Sequence, residues 1–528
     1  MRPKNPSHLT NYAIIFGLAF IFFFVLQYNQ TLADPDSFYH AKMALLTEDH
    51  GIIKTFPWLG DFTVLGKAYA DQHFLYHVFL IPFVSWLHPI AGLKLATIVL
   101  ASLFVLAFYW LLRRLRVKYA IGFSLLLLLM NPLVFRLSLA KAPSFSLILL
   151  TIGIYFIVSR NWKSLLVLSF IYVWAYGGFA VILLTSGLYL LVDVFANLIK
   201  KTFHPGPGQP SVIKTLFLRS SWTPLLSSLT GVILGVIINP YFPQNLSYYR
   251  YQLFEIGMKN YQQIVRVGGE WYSYAPTSLI SDSVFLSIAT LIALAVFFYY
   301  YKRQTRREVF FLVLAALFFL LTMKSRRYVE YYVPLGCLFS FTVLGAWLKE
   351  LKFRSYWERF LDLKPRKKFL IALVGVYFFV TIPTIIVRGF FLERKDLVNG
   401  IPYTKFQEAS EWLIDHSQRG DIVFHSSWDE FPILFYHNDV NNYIGGLDLT
   451  FNYLYNKDLY QKWVDITTGS MRNNLAETIR NDFHAKYVLV SQNHTAMKNN
   501  IRNDGRLEQV YEDSEAVIFK VPCCLTTP

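Results

Sequence analysis

The sequence predicts a polytopic α-helical membrane protein of about eleven spans with a C-terminal external α/β domain. Three observations carry this. Of the 528 residues, 54% are hydrophobic and 18% aromatic, mean hydropathy is +0.37, and only 16% are charged, below the roughly 25% of a soluble domain. Apolar runs of span length recur from Asn11 to about Gly389 and then stop. Most basic residues fall in short loops between those runs, so the net charge of +16 reads as membrane topology and excludes a nucleic-acid footprint. The chain therefore divides into a transmembrane domain, 1–390, and a soluble domain, 391–528. Cys337, Cys523 and Cys524 make no disulfide framework.

The first apolar run, 11–28, follows Arg2 and Lys4, which place the N-terminus in the cytoplasm and the next loop outside. The run 74–91 holds Pro82, His77 and His88. If it crossed, the basic cluster Arg113, Arg114, Arg116 and Lys118 would be exported, so it is expected to lie along the outer surface. Spans then follow at 93–112, 119–138, 144–158, 165–176, 179–198, 224–240, 283–301, 309–323, 333–348 and 369–387, with basic loops returning to the cytoplasm. Long external pieces result at 29–92, at 241–280 and after 389.

The first external loop opens with Asp34-Pro35-Asp36-Ser37-Phe38-Tyr39-His40. Carboxylates at a membrane surface default to a functional reading. Two residues apart on an extended segment, Asp34 and Asp36 share a face and can reach one ion. Asp36 alone suits a general base toward an acceptor, and an Asp-Pro turn can also cap a helix. Further on, Asp71 and His73 are candidates to face substrate. His73 and His77 share a helix face and suit either a metal or the interface.

In the second long loop, Arg266-Val267-Gly268-Gly269-Glu270-Trp271-Tyr272 joins paired glycines, which let a backbone approach a ligand, to a carboxylate between aromatics. Arg266 on an external loop suits an anion. Arg326 and Arg327, at the outer end of a span, suit a phosphate or pyrophosphate, as do Arg136 and Lys141; membrane anchoring is the alternative for all four. In the soluble domain, strands are expected at 421–426 and 487–492, helices at 403–416, 457–466 and 472–483, and a hairpin at 507–521. The domain has no glycine-rich nucleotide loop and the chain no nucleophile elbow.

This layout resembles the GT-C glycosyltransferases, integral membrane enzymes that take sugars from polyprenyl-phosphate or -pyrophosphate carriers. Within them it looks most like the oligosaccharyltransferase catalytic subunit and its bacterial relatives. Asp34 through His40 resembles that group's first external motif, where an Asp engages metal and acceptor. Glu270 sits where the family places a Glu in a late external loop. Ser427-Trp428-Asp429-Glu430-Phe431 partly matches the acceptor motif, which makes Trp428 and Asp429 acceptor-binding candidates. The resemblance departs at Asn131 through Pro143, where the family carries a second acidic motif. This stretch has no carboxylate, and Arg136 and Lys141 are its cations.

The resemblance implies transfer of a sugar or oligosaccharide from a polyprenyl-linked donor to a protein or glycan acceptor on the external face of the cell membrane. Asp36, Asp34 and Glu270 would be catalytic. Arg326, Arg327, Arg266, Arg136 and Lys141 would hold the phosphate. Mg²⁺ or Mn²⁺ would sit at Asp36 and Glu270, or basic residues would replace the metal. The competing readings are a transporter or flippase of a lipid-linked saccharide and a catalytically inactive receptor. The first is opposed by the lack of internal repeats and midplane charges.

Overall fold

The computed structural model describes residues 6–203, 219–259, 261–351 and 358–522. Arg2, Lys4, Cys523 and Cys524 lie outside them. Helix α1, Pro6–Gln27, is apolar around its circumference, as a span requires. Helix α2, Asp36–His50, starts where the Asp34 side chain accepts the Asp36 backbone N–H at 3.0 Å. Capping thus falls to Asp34, and the Asp36 carboxylate stands in the first turn, where the helix dipole favours a negative charge.

Helix α3, Phe74–Trp86, has 13 residues. At 1.5 Å per residue it measures about 20 Å, short of a hydrocarbon core of about 30 Å. It folds back onto α4, Pro89–Arg114. A side chain at Gly92 would strike the Phe83 carbonyl, so only glycine lets this hairpin close. The expectation that 74–91 does not cross agrees with this length.

The span count differs from the sequence reading. Among the described residues, five helices are long and apolar enough to cross, and up to seven if each of two bent pairs is one span. Helices Pro143–Val158 and Trp162–Ala175, read above as spans, have 16 and 14 residues. The expected span 119–138 is not straight: it bends by 76° between 120–129 and Asn131–Ser138. Pro132 lies in the first turn of the second piece, where proline starts a helix well, and Met130 just before that helix leaves the helical region at φ −94°, ψ 82°. The bend carries Arg136 to the site described below.

The C-terminal segment is α/β as expected. A five-stranded sheet has the order β4-β3-β5-β7-β6, with β3 at Ile422–His425, β4 at Asn442–Tyr443, β5 at Tyr487–Ser491, β6 at Glu508–Glu512 and β7 at Ala516–Lys520. β3 runs parallel to β4 and β5, and β7 is antiparallel to β5 and β6. β5 is buried along its length, as a central strand with both faces covered should be. Two short strands, β1 (Thr31–Leu32) and β2 (Ile401–Pro402), pair across the chain and tie the first long loop to the start of this segment. The tie is reinforced where Trp58 Nε1 donates to the Asp439 carbonyl at 2.8 Å and Lys42 pairs with Asp439 at 3.2 Å. The sheet domain is thereby fixed over the loop that carries Asp34 and Asp36.

Candidate active site

The long loops and the sheet domain enclose a cavity of about 450 Å³. Asp34, Asp36 and His40 enter it from the start of α2, and His73 from the turn before α3. Arg136 and Lys141 come from the bent span and the loop after it, Glu270 from the second long loop, and Arg327 from the turn before helix Val329–Glu350. Trp428, Asp429 and Asp448 close it from the sheet domain. Nine of the twelve candidate site residues named from the sequence, Asp34, Asp36, His73, Arg136, Lys141, Glu270, Arg327, Trp428 and Asp429, share this one cavity.

Two charged clusters form the inner wall. In the first, Lys141 Nζ lies 2.8 Å from Asp34 Oδ2 and 2.8 Å from Asp36 Oδ2. Burial pushes Asp36 up to about 6, against the pull of Lys141, and the neighbouring Asp34 adds to the rise. About 30% of the Asp36 side chain stays open on the cavity. Burial works against the Lys141 ammonium, yet Asp34, Asp36 and Glu270 hold it above the usual lysine range. In the second cluster, Arg136 Nη1 donates to Glu270 Oε2 at 2.7 Å, and its Nε and Nη2 donate to Glu330 Oε2 at 2.9 and 2.5 Å. Arg327 Nη1 lies 3.3 Å from Glu270 Oε1, its Nη2 donates to the Tyr176 hydroxyl at 3.2 Å, and its guanidinium packs over Trp271. Burial works against the Glu270 carboxylate, but Arg327, Arg136 and Lys141 hold it below the usual range.

These pairings decide which groups a ligand meets. Among the described residues, no group of three or more His, Cys, Asp or Glu could hold a metal ion. The Lys141 ammonium stands between the two aspartates, and Glu270 faces two guanidiniums. A hard divalent cation needs free oxygen ligands, so this donor set does not fit Mg²⁺ or Mn²⁺ at Asp36 and Glu270.

Other placements correct the sequence reading. Arg326 is exposed and outside the cavity lining; its Nε donates to the Ser273 carbonyl at 3.2 Å and it packs over Tyr274. Adjacent residues in a tight turn point apart, so only one of the two arginines reaches inward. Arg266 is also exposed and lies against Tyr460 of the sheet domain. Asp71 stands behind the wall, bonded to His77 at 2.7 Å. His77 uses its other nitrogen on His40, so His73 and His77 do not converge on a metal. Gly268 has φ −56°, open to any residue, and Gly269 faces open space, so the pair leaves room for a ligand without requiring a left-handed backbone.

Glu330 and Asp448 were not singled out in the sequence. Glu330 is fully buried within an apolar span, and an intramembrane carboxylate four residues beyond Arg326 was a readable signal. Asp448 follows Gly445-Gly446-Leu447, and Leu447 has φ 62°; only the fold brings it to the cavity.

No family model and no curated protein sequence matches the chain. Solved structures do. The Archaeoglobus fulgidus oligosaccharyltransferase aligns over 97% of this chain and 74% of its own, with TM-score 0.62 and 12% identity. That archaeal protein, AglB, is also known in complex with an inhibitory peptide and a dolichol-phosphate. ArnT from Cupriavidus metallidurans aligns over 99% of this chain and 100% of its own, with TM-score 0.56 and 12% identity. The mycobacterial arabinofuranosyltransferase AftD aligns over 98% of this chain and 40% of its own, with TM-score 0.58 and 13% identity. All three are GT-C glycosyltransferases. At these identities the likeness establishes that the chain shares their fold.

Proposed function

We propose that the chain is a membrane glycosyltransferase that moves a sugar from a polyprenyl-phosphate carrier to an acceptor at the outer face of the membrane, with the N-terminus cytoplasmic and the sheet domain external. The observation that carries this is the single cavity joining Asp36, Lys141, Arg136, Glu270 and Arg327 to the Trp428–Asp429 wall. Arg327, Arg136 and Lys141 hold the donor phosphate through charge-assisted hydrogen bonds and stabilise the charge that grows on it as it leaves. Asp36, open on the cavity, orients the acceptor and faces the positive charge that develops at the anomeric carbon. Positioning and charge stabilisation suffice, with no covalent intermediate.

The charge balance favours one donor class. Asp34, Asp36, Glu270 and Glu330 stand against Lys141, Arg136 and Arg327. Four carboxylates against three cations leave the inner wall about one charge negative once Asp36, held near 6, is ionised. Such a wall suits the singly charged phosphodiester of a polyprenyl-phosphate sugar better than a pyrophosphate. It supports a single-sugar transferase over an oligosaccharyltransferase, working with Lys141 where a metal-dependent enzyme holds its cation. The acceptor is a glycan or protein presenting hydroxyl or amine groups to Asp429 and Asp448.

The test uses the purified full-length chain in lipid nanodiscs. Lipids that co-purify are identified by mass spectrometry, and the total polyprenyl lipids of the host membrane are supplied as donors to host envelope glycans and proteins. Polyprenyl-phosphate monosaccharides are expected to bind and be consumed. Exclusive capture of pyrophosphate-linked oligosaccharides would overturn the donor class. Transport of a lipid-linked sugar across the nanodisc's liposome equivalent without transfer would overturn the activity.

A further inference from the structure

Behind the cavity wall, three buried side chains form a hydrogen-bonded chain that the transfer scheme above does not use. Asp71 Oδ2 lies 2.7 Å from His77 Nδ1, and His77 Nε2 lies 2.8 Å from His40 Nδ1. The His40 ring lines the cavity. Asp71 and His40 are 4% exposed and His77 0%. The second oxygen of Asp71 accepts the His73 backbone N–H at 2.9 Å, so the carboxylate is held from two sides.

The protons in this chain can be placed by elimination. An ionised carboxylate only accepts, so His77 carries its proton on Nδ1. Where each ring carries one proton, His77 Nε2 is then a lone pair that accepts from His40 Nδ1–H. Neutral His40 is left with a lone pair on Nε2, the one ring nitrogen outside the chain. Burial works against the Asp71 carboxylate, but His77 and His73 hold it below its usual range. Burial, then His77, His73 and Lys141, push His40 down, which keeps the ring neutral at rest. The ionisable groups around His40 are His73, Tyr76 and His77 from α3 and the turn before it, Tyr39 and Asp36 on its own helix, and Lys141 from the loop opposite. On the packed helix Phe431–His437, Tyr436 and His437 stand against Phe38 instead.

We infer that His40 is the proton acceptor of the transfer reaction, with His77 and Asp71 as positioning residues that keep its Nε2 lone pair available to the acceptor. This rests on the glycosyltransferase reading. The acceptor oxygen or nitrogen attacks the anomeric carbon and forms the new glycosidic bond. The bond from that carbon to the phosphate oxygen breaks, and its electron pair stays on the phosphate. The acceptor proton passes to His40 Nε2, giving an imidazolium whose Nδ1–H points down the chain toward Asp71. The proton then leaves for the departing phosphate or for water in the cavity. Asp36 is less suited to this step, because its Oδ2 is bound to Lys141.

The decisive variant is Asp71→Asn. Its amide oxygen takes the His73 N–H, which turns the NH₂ group toward His77 Nδ1. Both imidazoles must then switch tautomer, and His40 Nε2 becomes a donor, although nothing on the cavity wall has changed. The first readout is ¹⁵N NMR of the histidine-labelled full-length chain in nanodiscs, with His40 assigned by the signal lost in His40→Gln. Nε2 is expected unprotonated in the wild type and protonated in Asp71→Asn. A protonated Nε2 in the wild type, or no change in the variant, overturns the inference.

The second readout is transfer from the host's extracted polyprenyl lipids. Turnover in Asp71→Asn and His40→Gln should fall by about 10²–10⁴-fold, the usual range for general base catalysis. Donor KM should hold, and an acceptor with a more acidic hydroxyl should recover part of the loss. Unchanged turnover overturns the inference alone. No transfer by the wild type strikes the glycosyltransferase reading, and the inference with it.

Discussion

The inner wall of the cavity holds its charges in pairs, whereas the wall supplied by the sheet domain leaves them open. On the inner side Lys141 bridges two aspartates, and Arg136 bridges Glu270 and Glu330. On the other side Asp429 is exposed and makes no ion pair among the described residues, while Asp448 accepts the Thr450 backbone N–H at 2.8 Å. Paired, buried charges resist movement and suit chemistry that needs fixed geometry. Open carboxylates beside a half-buried Trp428 suit a partner that comes and goes. On the glycosyltransferase reading proposed above, the difference separates a donor wall from an acceptor wall, and each variant below should disturb one and spare the other.

The largest effect is expected from Asp36→Asn. Asn keeps the size but removes the charge that faces the anomeric carbon, so turnover should fall by at least about a hundredfold, as when a preorganised electrostatic group is lost. Donor binding, followed by retention of labelled polyprenyl lipid, should persist. Full turnover in this variant would leave the Asp34–Asp36 motif with capping alone. Next comes Arg327→Ala, which removes the contacts to Glu270 and Tyr176. A charge-assisted hydrogen bond is worth about 1.5–3 kcal/mol, so donor affinity should drop about ten- to a hundredfold. Arg326→Ala is the control: it faces away and should bind donor within about twofold of the wild type. Equal losses at both positions would break the assignment of Arg327 alone to the donor wall.

On the acceptor wall, Trp428→Ala and Asp448→Asn should raise the acceptor KM about tenfold, roughly 1.4 kcal/mol of contact, with donor affinity unchanged. A shift in donor affinity instead would merge the two walls into one site.

The contrast also explains what could be read from the sequence. The spacing of apolar runs and their basic loops announced a helical membrane domain followed by an α/β domain, because hydropathy and strand periodicity are local properties. The motif at 34–40 was legible because carboxylates are scarce near a membrane. The pairings were not legible, because Arg136 meets Glu330 across 194 positions and Glu270 across 134. The 76° bend after 129 was hidden inside a continuous apolar run, although Pro132 marked it. Arg326 and Arg327 could not be told apart in sequence, since their directions depend on the turn. The acceptor wall was the least legible. Trp428 and Asp429 were found by likeness, and Asp448 only by the fold.

The smallest effect separates the walls by pH. Asp36 is held at about 6, above its ordinary 3.8. Falling pH therefore protonates it well before an exposed aspartate, and transfer should decline on the acid side, halving near pH 6, while acceptor KM stays level. The sign for stability is opposite. The fold favours the neutral carboxyl, so raising pH from 3.8 to about 6 weakens the folded state, while transfer is gained as folded Asp36 ionises around 6. Asp36→Asn should lose both trends in pH-dependent turnover and melting. Lys141 also pairs with Asp34 at 2.8 Å, so donor binding should change little as Asp36 titrates. An acid limb that survives in Asp36→Asn would move the titrating group elsewhere in the cavity, and a limb that appears in acceptor KM would place it on the acceptor wall.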